Sequence, residues 1–154
     1  MITVLGLGPG SKNALTIGVL EVLKNNSNIY FRTEKHPNVE YLKSLGVQFE
    51  TCDKFYEKYD SFDDIYKAIA EELIRLHEEK GDLVYAVPGH PLVAEKSVTL
   101  LLNLCEENCI ESKLMPSVSF IDAVIESLKL DPIEGVKIVD AFDIKDQIMD
   151  KRIG

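Results

Sequence analysis

Short apolar runs alternate along the chain with longer segments in which apolar residues recur at helical spacing. The runs predict five strands, at residues 2–7, 29–31, 47–51, 83–87 and 110–115. The segments between them predict helices over residues 14–25, 38–45, 93–107 and 119–129, with a further helix that ends at Gly81. Strands and helices that alternate in this way form parallel βαβ units. The predicted fold class is therefore α/β, a three-layer domain around a mostly parallel five-stranded sheet.

Three of these elements have especially clear sequence signals. Ser61 followed by Asp64 resembles a capping box, and the apolar stripe after it predicts the long helix before Gly81. Residues 83–87 are continuously apolar, which is typical of a central parallel strand with both faces buried. Residues 47–51 alternate apolar and polar side chains, as expected of a half-buried strand near the edge of the sheet.

The pattern weakens towards the carboxyl end of the chain. Residues 131–135 predict a turn, and residues 136–141 are a candidate for one more strand. Residues 143–154 are polar and have no apolar stripe of their own. A well-defined α/β domain is therefore expected only up to about Leu130.

Composition narrows the class of protein. The chain has 154 residues, 45% of them hydrophobic, which suits one ordinary globular domain and at most the start of a second. Its 26 acidic and 17 basic residues give a net charge of −9, which argues against nucleic acid as a partner. No apolar run reaches the roughly 20 residues that cross a bilayer, so no membrane association is expected.

Neither the cysteines nor the acidic residues indicate a cross-linked or metal-binding protein. Three cysteines cannot form a paired disulfide framework, and the amino terminus lacks the basic segment of a signal peptide. Reduced thiols in the cytoplasm are the simplest interpretation. The acidic residues between positions 53 and 64 lack the spacing of a calcium loop, so no metal is expected.

Ligands of open α/β sheets bind beyond the carboxyl ends of the strands, and two such ends have unusual sequences here. The first is residues 6–11, Gly-Leu-Gly-Pro-Gly-Ser, where glycines permit a close approach and Pro9 stiffens the loop. The second is residues 88–91, Pro-Gly-His-Pro, where Gly89 is expected to expose backbone carbonyls and an amide. Such carbonyls suit an adenine amino group or a sulfonium cation. A rigid turn without a ligand is the alternative.

A dinucleotide-binding fingerprint is the rival interpretation of the first loop. The G-x-G-x-x-G pattern would need glycine at position 11, which is Ser11. Glu34, just beyond the second strand, could still serve as the acid that binds a ribose. The fingerprint is therefore disfavoured but stays open at this point.

Three segments taken together resemble the tetrapyrrole (corrin/porphyrin) methylase family. Residues 6–10 and the later Leu15-Thr16 match its G-x-G-P-G…L-T opening. Residues 85–93 fall at its G-D-P-x motif, and residues 116–120 fall at its P-G-[VI]-[ST]-S motif. One subgroup of the family is especially similar in sequence at the Pro-Gly-His-Pro turn and at residues 32–37 and 55–60. It is the methylase-like amino-terminal domain fused to MazG-type nucleoside triphosphate pyrophosphohydrolases.

The resemblance implies a methyltransferase of the class III fold that uses S-adenosylmethionine, bound in a cleft between two α/β domains. It assigns to the cofactor a set of loop residues, namely Pro9, Pro88, Gly89, His90, Val93, Ser119 and Phe120. It places Gly8, Pro9 and Gly10 against the methyl acceptor, a small molecule that could be tetrapyrrole-like. No catalytic residue is assigned, because in-line methyl transfer mainly requires alignment of donor and acceptor.

The resemblance also implies the domain organisation and the partners. Residues 1–130 correspond to the amino-terminal methylase-like domain, and residues 131–154 to a connector and the start of a second domain that is largely missing. A homodimer and a fusion to a pyrophosphohydrolase domain are expected. The alternative function is a catalytically silent nucleotide-binding or interaction module attached to that pyrophosphohydrolase.

Three positions depart from the family pattern. His90 stands where most members have aspartate, Ser11 stands where an acid often closes the first loop, and Ser117 replaces a glycine. The first two departures remove carboxylates from the predicted site. As a loop histidine between Gly89 and Pro91, His90 is interpreted as a cofactor contact rather than as a general base.

Four further side chains receive open interpretations. His36 precedes Pro37 at a predicted helix start and is expected to be exposed. Arg32, after the second strand, either meets an acidic substrate or pairs with Glu34 or another acid. Tyr56 and Tyr59 either form a wall of the substrate site or pack against the edge of the sheet.

Overall fold

A five-stranded sheet with all strands parallel forms the centre of the fold. The computed structural model describes residues 1–142, and its strands are Ile2–Gly6 (β1), Ile29–Phe31 (β2), Glu50–Thr51 (β3), Leu83–Val87 (β4) and Ser112–Leu114 (β5). Their order across the sheet is β3-β2-β4-β1-β5. The central position predicted for β4 and the edge position predicted for β3 are both confirmed.

Six α-helices are present in the described residues, and most of them return the chain from one strand to the next. They are Ile17–Asn25 (α1), Val39–Ser44 (α2), Lys54–Lys58 (α3), Phe62–Lys80 (α4), Lys96–Glu107 (α5) and Phe120–Leu128 (α6). The longest helix, α4, begins as the capping box predicts, because the Ser61 hydroxyl accepts a hydrogen bond from the Asp64 N–H at 3.1 Å. It ends at Gly81, whose φ of 83° suits glycine.

Helices cover both faces of the sheet, so the predicted three-layer fold is confirmed. Alternate residues of β4 show this directly, since Tyr85 packs into one apolar cluster and Val84 into the other, and both are buried. The cluster around Tyr85 includes buried residues of α3, α4 and α5. The cluster around Val84 includes buried residues of α1 and α2.

The strand register brings three loops to one edge of the sheet, which we call the carboxyl edge. Gly6 of β1 lies opposite Val87 of β4, and Phe31 of β2 lies opposite Ala86. The loops that follow β1, β2 and β4 therefore leave the sheet at the same level. This edge is where ligands of open parallel sheets bind.

Several predicted elements differ from the structure. Strand β3 covers Glu50–Thr51 rather than residues 47–51, and β5 covers Ser112–Leu114 rather than residues 110–115. Helix α1 begins at Ile17 rather than at residue 14, because residues 12–14 form a separate 3₁₀ turn. Helix α5 begins at Lys96 rather than at residue 93, because Ala94 has a φ of 56° that an α-helix cannot contain. The candidate strand at residues 136–141 is wrong, since those residues form no strand.

The contacts divide the chain into two compact units. The first is Met1–Phe120 and contains the whole sheet, while the second begins at Ile121 in the first turn of α6. The family-based boundary at residue 130 stays a prediction, and residues 143–154 lie outside the described residues. In the described part of the chain, no helix is both long enough and apolar enough to cross a membrane.

Replacement of the α4 cap tests the local origin of this helix. The change Ser61→Ala removes the acceptor for the Asp64 N–H and should lower the free energy of unfolding by about 1 kcal/mol. Urea denaturation of the two proteins measures the difference. Ser27→Ala is the matched control, because Ser27 is exposed and its hydroxyl makes no hydrogen bond within residues 1–142. Equal midpoints for all three proteins would contradict the assignment.

Candidate functional site

Two glycines from different loops pair through their backbones at the carboxyl edge. Gly8 N–H donates to the Gly89 carbonyl at 3.2 Å, and Gly89 N–H donates to the Gly8 carbonyl at 2.9 Å. Both residues have positive φ, 75° and 66°, which glycine adopts without strain. The expectation that Gly89 exposes its own amide and carbonyl is therefore wrong, because Gly8 occupies both groups.

Gly6 makes this approach possible because it lacks a side chain. A Cβ built on Gly6 would lie 1.9 Å from the Gly89 carbonyl oxygen and 2.8 Å from the Ser117 Cβ. The first distance is far inside van der Waals contact, and its partner is a backbone atom that cannot rotate away. We call Gly6, Gly8 and Gly89 the glycine corner.

The loop after β5 joins the glycine corner through side-chain hydroxyls. Ser117 Oγ accepts the Gly6 N–H at 2.9 Å and donates to the Met115 carbonyl at 3.2 Å. Thr16, which caps α1, donates its hydroxyl to the Pro116 carbonyl at 3.2 Å. All three sequence motifs therefore meet in one place. The departure at Ser117 has a physical reason here, since glycine would leave the Gly6 N–H without this partner.

Asn38 and His36 hold the first loop from the side of β2. Asn38 is 99% buried, and its Nδ2 donates to the Leu7 carbonyl at 2.7 Å. His36 Nε2 contacts the Gly8 carbonyl at 2.9 Å, while its Nδ1 accepts the Asn38 N–H at 3.1 Å. Because a carbonyl only accepts, His36 carries its proton on Nε2 and is neutral in this arrangement. The expectation of an exposed His36 is wrong, since the residue is half-buried.

The surroundings of His36 disfavour its charged form. Burial lowers the pKa of His36 below its ordinary value of 6.5, the Gly8 carbonyl raises it, and the Arg32 charge lowers it further. A second proton would sit on Nδ1, where it would face the Asn38 N–H instead of accepting from it. Protonation therefore breaks the contact between His36 and the Asn38 N–H, which orients the ring towards the Gly8 carbonyl.

The outer side of the glycine corner is open. A Cβ at Gly89 would meet no atom within 4 Å, and the neighbouring Pro9 is exposed. His90 Nδ1 accepts the Leu92 N–H at 3.0 Å, so the proton of the neutral ring lies on Nε2. Within the described residues Nε2 contacts no protein partner. His90 thus presents a hydrogen-bond donor beside open space, which suits a ligand contact better than proton abstraction.

The remaining predicted site residues differ in their burial and in their contacts with the loops of the glycine corner. Pro88 and Val93 are half-buried, and the Val93 N–H donates to the His90 carbonyl at 3.0 Å. Ser119 is buried at the start of α6. The Phe120 side chain is 46% exposed, and no ring contact of the described residues joins it to the corner.

A half-buried polar cluster lies at the same edge, and only its arginine and one tyrosine were singled out from the sequence. Arg32 Nε lies 3.2 Å from Glu95 Oε1, and Arg32 Nη1 donates to the Tyr56 hydroxyl at 2.7 Å. Behind them, the fully buried Tyr85 contacts Ser97 Oγ through its hydroxyl at 2.9 Å. Burial raises the pKa of Glu95 to about 6, against the opposing effects of Arg32 and Ser97. We call Arg32, Tyr56 and Glu95 the arginine cluster.

These contacts answer two questions that the sequence left open. Arg32 pairs with Glu95 and not with Glu34, and Tyr56 is the hydroxyl partner of Arg32. Tyr59 packs instead, with its ring centroid 6.5 Å from that of Phe55. Glu95 could not be found from the sequence, because 63 positions separate it from Arg32 and no spacing rule relates them.

Three of the acidic residues noted in the sequence have structural partners. The Asp53 carboxylate accepts the Glu34 N–H, Asp63 pairs with Lys96, and Asp64 contacts the Ser61 hydroxyl. In the part of the chain that the structure describes, no three His, Cys, Asp or Glu side chains are grouped to hold a metal ion. A cavity of about 230 Å³ lies elsewhere, between β3 and α4, and its charged residues largely pair with one another.

The fold and the corner together define an α/β domain with a backbone-lined candidate ligand site at the carboxyl edge of a parallel sheet. The model of one family, Tetrapyrrole (Corrin/Porphyrin) Methylases, matches residues 1–152. The chain therefore belongs to the tetrapyrrole methylase family, as its three motifs indicate.

Individual relatives agree with this assignment. The uncharacterized protein YabN of Bacillus subtilis (strain 168) is 43% identical over 140 residues, which are 91% of this chain and 28% of YabN. Uroporphyrin-III C-methyltransferase from Thermus thermophilus superimposes with a TM-score of 0.63 at 22% identity, over 84% of this chain and 53% of that one. A complex of that enzyme with S-adenosylhomocysteine gives a TM-score of 0.55 at 20% identity, over 80% of this chain and 47% of that one.

Diphthine synthase is also similar in fold, with a TM-score of 0.61 at 18% identity over 86% of this chain and 50% of that one. The chain thus spans about half the length of the solved structures it matches. It spans little more than a quarter of YabN. At these identities the solved structures establish the fold alone.

A methyl group at Gly6 tests the close approach on which the corner depends. Gly6→Ala should lower the free energy of unfolding by about 3 kcal/mol or more, because the added Cβ overlaps the Gly89 carbonyl. Gly46→Ala is the control, since Gly46 has a φ of 80° but nothing within 4 Å, and should cost only about 1 to 2 kcal/mol of backbone strain. Urea denaturation compares the two. Similar losses would show that steric overlap at Gly6 is unimportant.

The protonation of His36 should make stability depend on pH. Since burial holds the folded pKa below 6.5, the unfolded chain binds this proton more tightly. The His36 contribution is therefore complete above pH 6.5 and is lost as the pH falls towards the folded pKa. Between pH 7.5 and 5.5 the wild-type free energy of unfolding should fall more steeply than that of His36→Gln. His77→Gln, a change at a half-buried histidine of α4, is the control, and a wild-type slope no steeper than that of His36→Gln would contradict the assignment.

Proposed function

We propose that the chain forms the cofactor-binding part of a methyltransferase that uses S-adenosylmethionine. The observation that carries the proposal is the glycine corner with open space beside Gly89, in a chain that belongs to the tetrapyrrole methylase family. The S-adenosylhomocysteine complex of a protein with this fold supports the choice of cofactor. The acceptor is proposed to be a small molecule, and a tetrapyrrole is one candidate.

The residues of the corner fit such a cofactor. Both Gly8 and Gly89 satisfy their own backbone groups, so the surface around them is rigid before a ligand arrives. The free Nε2–H of His90 can donate to a ligand oxygen or ring nitrogen, and no side chain at Gly89 blocks the approach. A preformed surface of this kind loses little freedom on binding.

When bound, S-adenosylmethionine supplies a methyl group on a positively charged sulfur. The chain itself has only to align the acceptor and exclude water, because an in-line displacement needs no covalent protein intermediate. Pro9 and Gly10 lie on the first loop, next to the corner, and are the proposed acceptor contacts. Pro88, His90 and Val93 are the proposed cofactor contacts, together with Ser119 and Phe120.

Calorimetry with S-adenosylhomocysteine on the complete protein that contains these residues tests the proposal. Wild-type protein should bind, and Gly89→Val should bind at least about tenfold more weakly, because the new side chain fills the space beside the corner. Gly81→Val is the matched control. It places the same side chain on a glycine with positive φ and open surroundings, at the opposite edge of the sheet.

The outcomes separate the candidate functions. No binding by the wild-type protein, or equal binding by Gly89→Val, would overturn the cofactor site. Binding without methyl transfer to any tested acceptor would favour the silent nucleotide-binding module. A homodimer and a fused MazG-type pyrophosphohydrolase domain are further proposals from the sequence resemblance, and light scattering and the complete sequence test them.

A further inference from the structure

The arginine cluster lies at the carboxyl edge, close to the glycine corner in the fold. Arg32 is the first residue after β2, and its N–H donates to the Ala86 carbonyl of β4 at 2.9 Å. The Pro88 turn begins two residues after Ala86. Arg32 therefore leaves the sheet beside the loop that carries Gly89 and His90, and its charge is felt at His36, the partner of Gly8.

The guanidinium of Arg32 is poorly supplied with protein acceptors for a group so deeply placed. Its side chain is only 18% exposed, and that of Glu95 only 9%. Of its five N–H groups, one donates to Tyr56, and the Nε–H faces Glu95 at 3.2 Å without hydrogen-bond geometry. The other three, on the Nη atoms, make no hydrogen bond to residues 1–142. Glu95 therefore balances the charge of Arg32, but most of the Arg32 N–H groups have no acceptor within the described residues.

The position of Glu95 also indicates a function beyond linking the end of β2 to the start of α5 through Arg32. Glu95 occupies the N-cap of α5 yet makes no capping hydrogen bond, because its side chain turns to Arg32. The preceding Ala94 has a φ of 56°, a conformation that costs strain in any residue with a Cβ. The chain thus gives up a cap and accepts local strain to place one carboxylate against Arg32. Such strain is often found at binding sites.

The carboxylate of Glu95 is itself weakly held. It is desolvated, which favours its neutral form, and the Ser97 hydroxyl donates to it only at a long 3.5 Å. A ligand oxyanion with several acceptor atoms could use the free Nη donors while the carboxylate keeps the guanidinium plane in place. Arginine binds such oxyanions with two parallel hydrogen bonds.

We propose that Arg32, oriented by Glu95 and Tyr56, binds an anionic oxygen group of the methyl acceptor, a carboxylate or a phosphate. This assignment rests on the proposed function, because only a methyltransferase has a methyl acceptor. It makes Arg32 a residue that selects the substrate. A chain with a net charge of −9 repels anions overall, so an acidic acceptor needs a local cation of this kind. Glu95 and Tyr56 act as positioning residues.

The experiment measures binding of inorganic phosphate and of citrate, separately, by calorimetry of the complete protein at constant ionic strength. Arg32→Gln should weaken binding of at least one anion tenfold or more, about the effect of losing a charge-assisted pair. Glu95→Gln should strengthen it about threefold or more, because the amide oxygen can still position the guanidinium while the competing negative charge is gone. Whichever anion responds identifies the ligand group. Arg75→Gln, on the exposed face of α4, is the matched control and should leave both affinities unchanged.

A merely structural arginine would behave differently. If Arg32 only ties β2 to α5, Arg32→Gln leaves anion binding unchanged and Glu95→Gln does not strengthen it, and either result overturns the proposal. The double variant Arg32→Gln/Glu95→Gln removes both charges at once and guards against misfolding caused by one unpaired buried charge. Circular dichroism checks its fold, and it should bind anions as weakly as Arg32→Gln.

Parallel titrations with S-adenosylhomocysteine keep the two proposals distinguishable. Arg32→Gln should retain wild-type affinity for this compound. A tenfold loss would mean that Arg32 holds the carboxylate of the cofactor, which overturns the assignment to the acceptor. If the wild-type protein does not bind the compound at all, the methyltransferase proposal fails, while the anion titrations still decide whether Arg32 is an anion site.

Discussion

The backbone contact between the loops after β1 and β4 is the constraint on which the candidate site depends. It follows from the fold, because β1 and β4 are neighbours in register and their ends are level, with Gly6 opposite Val87. Two loops that leave adjacent parallel strands at the same height must share a small space. They can do so here because Gly6 has no Cβ, and because Gly8 and Gly89 adopt positive φ. The resulting corner consists of main chain, and its shape is fixed by hydrogen bonds rather than by side-chain packing.

Such a corner needs donors for the carbonyls that it buries, and the loop after β2 supplies them. Asn38 donates to the Leu7 carbonyl, and His36 donates to the Gly8 carbonyl. A buried carbonyl without a partner costs about 1 to 3 kcal/mol, which is the cost that Asn38 avoids at Leu7. His36 gives the Gly8 carbonyl a second donor beside the Gly89 N–H. The inner side of the corner is thereby satisfied by protein. The outer side, where the Nε2–H of His90 has no partner among residues 1–142, is the proposed ligand surface.

Local sequence signals predicted the elements well and the contacts between them poorly. The apolar runs located β2 and β4, and Ser61 and Gly81 marked the ends of α4, because these features depend on neighbouring residues only. Helix α5 starts later than its apolar pattern suggests, because Ala94 has a positive φ that no α-helix contains and that places Glu95 against Arg32. The three motifs could be expected to meet at one edge, because parallel strands end together.

The pairing of Gly8 with Gly89, and of Arg32 with Glu95, joins residues that lie far apart in the chain. No periodicity encodes such pairs. The missed burial of His36 has the same origin, since its partner Gly8 lies 28 positions away. The strand order determines that these loops lie at the same edge of the sheet, but the choice of partner within them depends on side-chain packing.

The glycine corner and the arginine cluster differ in how strongly they depend on the identity of side chains. The glycine corner is made of backbone, so the side chains around it can vary widely as long as the glycines remain. Solved structures that match this chain in fold, at 22% and 18% identity to it, bear names as different as uroporphyrin-III C-methyltransferase and diphthine synthase. A surface of that kind can accept a common ligand but cannot by itself distinguish acceptors. Discrimination has to come from side chains on the adjoining loops. At the end of β2 this chain places an arginine whose charge is balanced by Glu95 and whose hydrogen-bond donors find few acceptors within residues 1–142.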